Sequence, residues 1–190
     1  MILYLTVIIA GTLAIGVADG LLFSAPSVFS VLDGIFHATL ATVSIIAIDG
    51  IFAYVIRRLP KAWFIGSGGI FDVSKSERRF YRAIKIHAWK DKIPELGGFT
   101  SFHKDKLLSV SDTKYLERFI LESNYGIAIH ASNAVFGILI FILPYANKTN
   151  IWVPIFIINF ILSVLPMMIL RYHVPVLARL CQRSKSNKRG

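Results

Sequence analysis

His130 is the residue in this sequence whose type and position most clearly invite chemistry. In "YLERFILESNYGIAIHASNAVFGILIFILPY", residues 115–145, formal charge stops at Glu122 and His130 follows eight positions later, inside an apolar run. An ionisable side chain in a membrane-length apolar segment is costly and seldom faces lipid, so it carries a functional hypothesis by default. An unprotonated imidazole is a neutral general base near ordinary pH. The competing reading makes His130 a packing or hydrogen-bonding residue between helices. Asp49 is the second such group, alone in the apolar run 34–56 and eight residues before Arg57. It could orient His130 if the second and third apolar segments are neighbours. On a helix Glu122 is about 12 Å from His130 along the axis and some 80° round it, so a substrate lying across the membrane interface could meet both. Asn133, three residues beyond His130, is placed to share its face.

Other chemistries find little support. The five histidines, 37, 87, 103, 130 and 173, contain no HxxxH or HExxH pair, so no metal is expected and nothing calls for a cofactor. No G-x-S-x-G elbow occurs. The single cysteine, Cys181, excludes an internal disulfide. "SGGIF", with glycines at 68 and 69, lacks the spacing and the Lys-Ser/Thr of a phosphate loop and reads as a turn.

The elements that must position these groups follow from composition. The chain of 190 residues is 55% hydrophobic with 14 Phe, its mean hydropathy is +0.61, and 17% of it is charged, against roughly 25% for ordinary soluble domains. Residues 1–18 lack any charge, and 125–147 and 151–170 contain no Asp, Glu, Lys or Arg. A run of about 20 such residues can cross a hydrocarbon core as a helix. The expected fold is therefore an all-α polytopic membrane protein of a single membrane domain. Four crossings are expected, at about 1–18, 34–56, 125–145 and 151–170. The first segment has no basic n-region and reads as a retained helix rather than a signal peptide.

Charge sets the expected orientation. Fourteen of the 21 basic residues lie in 57–124 and six in 171–190, with only Lys148 between the last two crossings. The positive-inside rule then puts 57–124 and both termini in the cytoplasm, at the cell membrane. The formal charge of +10 suits anionic lipid headgroups as partners. No nucleic-acid module accompanies it, so no nucleic acid is expected.

Residues 57–124 are too few for a comfortable independent core, yet they carry Trp63, Phe64, Phe71, Phe80, Tyr81 and Trp89, which suggests folding against the membrane face. Ser74 followed by Glu77 is a capping-box signature for a helix from about Lys75 to Trp89. Phe80, Tyr81, Ile84 and Ala88 would lie towards one side of it and Arg78, Arg82 and Lys85 on a basic flank, with Pro94 ending the pattern. That is the layout of an interfacial amphipathic helix. "GGFTSFHKDKLL", with His103, reads as a loop or short hairpin, and Ser109 or Ser111 could cap the helix that leads into the third crossing.

At this point "FYRAIKIHAWKDKIPE", "ERFILESNYGIAIHASNAVFGILIF" and "LPMMILRYHVPVLARL" can be taken together. Their constellation resembles the glycosyl-4,4'-diaponeurosporenoate acyltransferases of staphyloxanthin-type carotenoid synthesis, over about residues 51–183. The likeness rests on Pro60, Trp89-Lys90 with Lys92-Ile93, Glu117, Glu122 spaced to His130, Pro166, and Arg171-Tyr172 with Pro175. Apolar Ile127, Val164, Leu170 and Val174 stand where the compared family member is polar. The resemblance implies transfer of a fatty acyl group from an activated donor, acyl-CoA suiting the basic cluster, to a hydroxyl of a membrane glycolipid such as a glycosylated carotenoid. It implies His130 as the base and Glu122 as its orienter or a sugar contact. Lys90, Lys92 and Arg171 would hold donor phosphates or the developing oxyanion, with Trp89 and Asn133 as further substrate contacts. The alternative is a non-catalytic interaction or accessory protein, which would bury His130 among apolar neighbours and leave Glu122 in solvent. Acceptor, donor and oligomeric state stay open on sequence alone.

Overall fold

The computed structural model describes residues 2–66, 68–93 and 112–187. Among these residues six α-helices run in chain order: α1 (Ile2–Leu22), α2 (Val28–Arg58), α3 (Lys75–Ala83), α4 (Ile86–Trp89), α5 (Thr113–Phe136) and α6 (Thr149–Asn187). Turns of 3-10 helix lie at Lys61–Trp63, Gly69–Phe71, Lys90–Lys92 and Gly137–Ile142. There is no strand among the described residues. Four stretches, Leu5–Leu22, Val28–Arg58, Thr113–Ile142 and Thr149–Ser186, are long and apolar enough to cross a membrane. Large apolar side chains such as Leu22, Phe29 and Ile142 are exposed in number, which water would penalise and lipid does not. The expected all-α membrane fold is the one found. Pro94, Gly97, Gly98, His103, Ser109 and Ser111 lie outside the described residues.

One expectation about extent is corrected. The helix expected over 75–89 stops at Ala83, because Ile84 leaves helical geometry and Lys85 takes a left-handed conformation with φ 49°. Glycine usually fills that position at a helix end, and its absence removed the sequence signal for the break. With the break, Tyr81 and Ile86 become the buried residues, while Phe80 and Ala88 stay exposed. The last helix carries on past the expected crossing at 151–170, to Asn187. Its buried stripe, Val174, Leu177, Cys181 and Ser184, keeps helical spacing beyond the point where the composition turns polar.

The chain divides into two units, one of Met1–Val55 with Ala131–Val164, the other of Ile56–His130 with Leu165–Gly190. In the first, α1 and α2 meet through glycine. A Cβ on Gly16 would fall 2.5 Å from the Ile35 Cα, and one on Gly34 would fall 2.2 Å from the Gly16 carbonyl oxygen. Gly16 and Gly20 form the G-x-x-x-G spacing that lets membrane helices touch backbone to backbone. Ser27 and Ser30 begin α2 with a reciprocal pair, each backbone N–H donating to the other's hydroxyl oxygen. Ala38, Ala41, Ile45, Ile140, Ile151 and the fully buried Trp152 make the core. Lys148 donates to Asp19 at 3.2 Å and to Asp33, and the Asp33 bond foremost holds its ammonium above the usual lysine range.

In the second unit, α5 and α6 pack through Leu116, Ile120, Leu177 and Cys181. The ends of the two helices are further joined by a 2.8 Å Thr113–Ser184 hydroxyl bond and a 2.8 Å Lys185–Glu117 ion pair. The segment after α2 lies on this pair, placing Phe64 and Phe71 against Tyr125, Ile127 and Val174. Val73, Tyr81 and Ile86 pack with Ile169 in a neighbouring cluster.

Candidate functional site

Two polar clamps hold the segment between α2 and α3. Asn124, wholly buried on α5, donates both amide hydrogens, to the Phe64 carbonyl at 2.8 Å and the Gly66 carbonyl at 2.6 Å. Its own side-chain oxygen has no partner among the described residues. Arg171 on α6 grips the other end. Its Nε and Nη2 bind the two Glu77 carboxylate oxygens at 2.6 and 2.9 Å, Nη1 donates to the Ile70 carbonyl at 2.8 Å, and Nη2 donates to the Asp72 carbonyl at 3.0 Å. Only a planar guanidinium presents enough donors in that arrangement. Tyr81 donates its hydroxyl to Glu77. The Arg171 bond foremost holds the Glu77 carboxyl below its ordinary value of 4.5, whereas burial and the Glu77 carboxylate push the Tyr81 hydroxyl above its own. Glu77 also begins α3, its backbone N–H donating to Ser74 Oγ at 3.1 Å, as the capping signature predicts.

Two residues before Asn124, α5 carries the acid that the sequence singled out. Glu122 pairs with Arg57 at 3.2 Å, and the Arg57 guanidinium stands 5.6 Å from the centre of the Tyr125 ring. Tyr125 in turn stacks on Phe64 at 4.2 Å. Cation, carboxylate and two rings thus form one connected group around the clamped turn. His130 is half-buried on the same helix in the same unit, and its imidazole has no hydrogen-bond partner among the described residues.

Each remaining predicted residue has a definite place. Asp49 belongs to the first unit, where Asn159 donates to it at 3.4 Å. Asn133 is also in that unit, buried, with its side-chain oxygen unpartnered. Trp89 donates its indole N–H to the Ile84 carbonyl at 2.9 Å, closing the turn that ends α3. Lys90 pairs with its neighbour Asp91 at 2.7 Å, and Lys92 is exposed. Glu122, Asp49 and Arg171 are thus each bound to a residue outside the predicted set. Ile127, Leu170 and Val174, three of the positions where the compared family member is polar, lie together in a single apolar cluster. Sequence reasoning missed Asn124, Glu77 and Tyr81 as working polar groups. Asn124 left a usable signal, a carboxamide at the edge of a membrane-length run. The Arg171–Glu77 pair spans 94 residues and left none.

Four membrane-length helices and a polar, clamped segment between the second and third define a small polytopic membrane protein. Residues 61–183 match the family described as glycosyl-4,4'-diaponeurosporenoate acyltransferase, CrtO. The chain belongs to that family, as the motifs around Trp89, Glu122–His130 and Arg171-Tyr172 led us to expect. No curated protein and no solved structure matches it.

Proposed function

We propose that the protein transfers a fatty acyl group from an activated donor to a sugar hydroxyl of a membrane glycolipid, with a glycosylated carotenoid as the acceptor suggested by the family's description. The observation that carries this reading is the family match over 61–183, which takes in nearly all of the unit where Glu122 is ion-paired and His130 stands half-buried without a partner. In this reading His130 takes the proton from the acceptor hydroxyl as its oxygen attacks the acyl carbonyl carbon. The new ester C–O bond forms, the bond from that carbon to the donor's leaving atom breaks, and His130 returns the proton to the leaving group. Glu122, steadied by Arg57, binds or orients the sugar. Arg171 has four of its five N–H groups already engaged and Lys90 is paired with Asp91, which favours positioning roles for both, so the charge offered to the donor comes from the exposed Lys92. Trp89, in the same unit, completes the substrate contacts.

Both termini and the connection from α2 to α5 lie on the cytoplasmic side, where an activated acyl donor is available. The test is to supply membranes containing the protein with labelled acyl-CoA and a lipid extract and to seek acylated glycolipid by mass spectrometry. We expect a product that control membranes do not make, and its absence across donors and extracts would reject the reading.

A further inference from the structure

α3 and the distal part of α6 border an open groove of about 480 Å³ whose charged lining the acyl-transfer residues do not explain. Lys75, Arg78, Arg79 and Arg82 line it from α3, and Arg179 lines it from α6. None of the four α3 cations has a carboxylate within ion-pair distance among the described residues, and Arg179 is bonded only to the Pro175 carbonyl, at 3.2 Å. This contrasts with Arg57, Lys148 and Arg171, which all have acidic partners. The groove has a built floor. Tyr81 is buried against the edge of Tyr172, with ring centres 6.2 Å apart, and its hydroxyl is committed to Glu77. Asp72 lines only an adjoining recess of about 210 Å³, and the Glu77 carboxylate beside Tyr81 is committed to Arg171.

Five exposed cations line one groove, and their summed positive potential attracts an anion. Arginines outnumber lysine four to one, and guanidinium is the group that grips phosphate oxygens in pairs. The cavity falls within the range of roughly 300–1,000 Å³ usual for small-molecule sites, more than a simple ion needs. The aromatic floor and the walls from Val73 and Pro175 suit an organic portion of the ligand.

We propose that this groove binds the phosphate ester or phosphoanhydride of an organic ligand. Two sources carry that chemistry, a nucleotide-bearing acyl carrier such as coenzyme A and the headgroup of an anionic phospholipid. The proposal stands on the groove alone and does not require acyl transfer.

The test uses the full chain in phosphatidylcholine nanodiscs, titrated with coenzyme A by calorimetry. A parallel arm measures the rise in melting temperature when phosphatidylglycerol is included in the disc. The variant Arg78→Gln/Arg82→Gln is compared with Arg183→Gln, an exposed cation outside the groove. If the double variant loses its fold by circular dichroism, Arg79→Gln/Arg179→Gln takes its place. We expect the groove variant to weaken coenzyme A binding by at least about tenfold while Arg183→Gln does not, since several charge-assisted bonds are removed. Loss of only the phosphatidylglycerol effect supports the same site with a lipid headgroup as its source. If neither ligand's effect differs between the groove variant and Arg183→Gln, the proposal is overturned. Neither result depends on whether the protein makes an acylated product, so its failure and that of the acyl-transfer reading remain distinguishable.

Discussion

At the scale of single residues, the second unit depends on two side chains that reach across to backbone carbonyls. Asn124 satisfies buried and half-buried carbonyls that would be expensive to leave unpaired, and Arg171 ties the Ile70 and Asp72 carbonyls and Glu77 to α6. Arg171→Lys keeps the charge but loses the fork, so it should cost about 2 kcal/mol in a thermal melt, the scale of lost charge-assisted bonds. The partner adds a pH signature. Because Glu77 is held below its ordinary 4.5, mainly by Arg171, its contribution is present above that value and fades as pH falls through the lower folded one. The melting temperature should therefore drop on acidification below about pH 4.5, and drop less in Glu77→Gln. An identical acid profile in the two proteins would deny Glu77 this role. Sequence exposed the cap at Ser74 because capping is local. It hid the second duty of Glu77, because an ion pair between distant residues leaves no spacing to read.

At the scale of elements, the helices were legible where one composition holds over their whole length. The apolar runs named the four spanning stretches, since about 20 apolar residues admit few other solutions. Boundaries were legible only where a local residue marks them. Lys85 ends α3 without glycine's warning, and the buried stripe of α6 outlasts its hydrophobic composition. The α1–α2 contact makes an element-scale prediction, because glycine there serves closeness rather than freedom. Gly34→Ala would force a Cβ to within 2.2 Å of the Gly16 oxygen, whereas Gly11→Ala meets nothing within 4 Å. Alanine normally stabilises a helix over glycine by about 1 kcal/mol. Gly11→Ala should thus leave stability in detergent unchanged or raised, while Gly34→Ala lowers it. Equal effects would mean that the two helices do not touch there.

At the scale of the whole molecule, the charge distribution makes the orientation testable. In a Cys181→Ser background, the exposed positions Lys61→Cys and Asn147→Cys report the two sides. An impermeant maleimide should label Asn147→Cys in intact cells, and Lys61→Cys only after permeabilisation. The reverse pattern would move the polar segment, and the proposed donor site with it, to the outer face. The family was legible in the sequence because several motifs keep their order across the matched region. The candidate site was only partly legible. His130 and Glu122 draw attention as ionisable groups at or beyond the edge of an apolar run, but Arg57 joins Glu122 only once the chain folds.

The central claim is that His130 is the base for acyl transfer. The most direct measurement compares acylated glycolipid formed from labelled acyl-CoA by wild type and His130→Ala, in membranes with equal amounts of inserted protein. The account predicts that the wild-type product falls by about 10²–10⁴-fold in the variant, the usual contribution of a general base. A variant that forms product at the wild-type rate would contradict it.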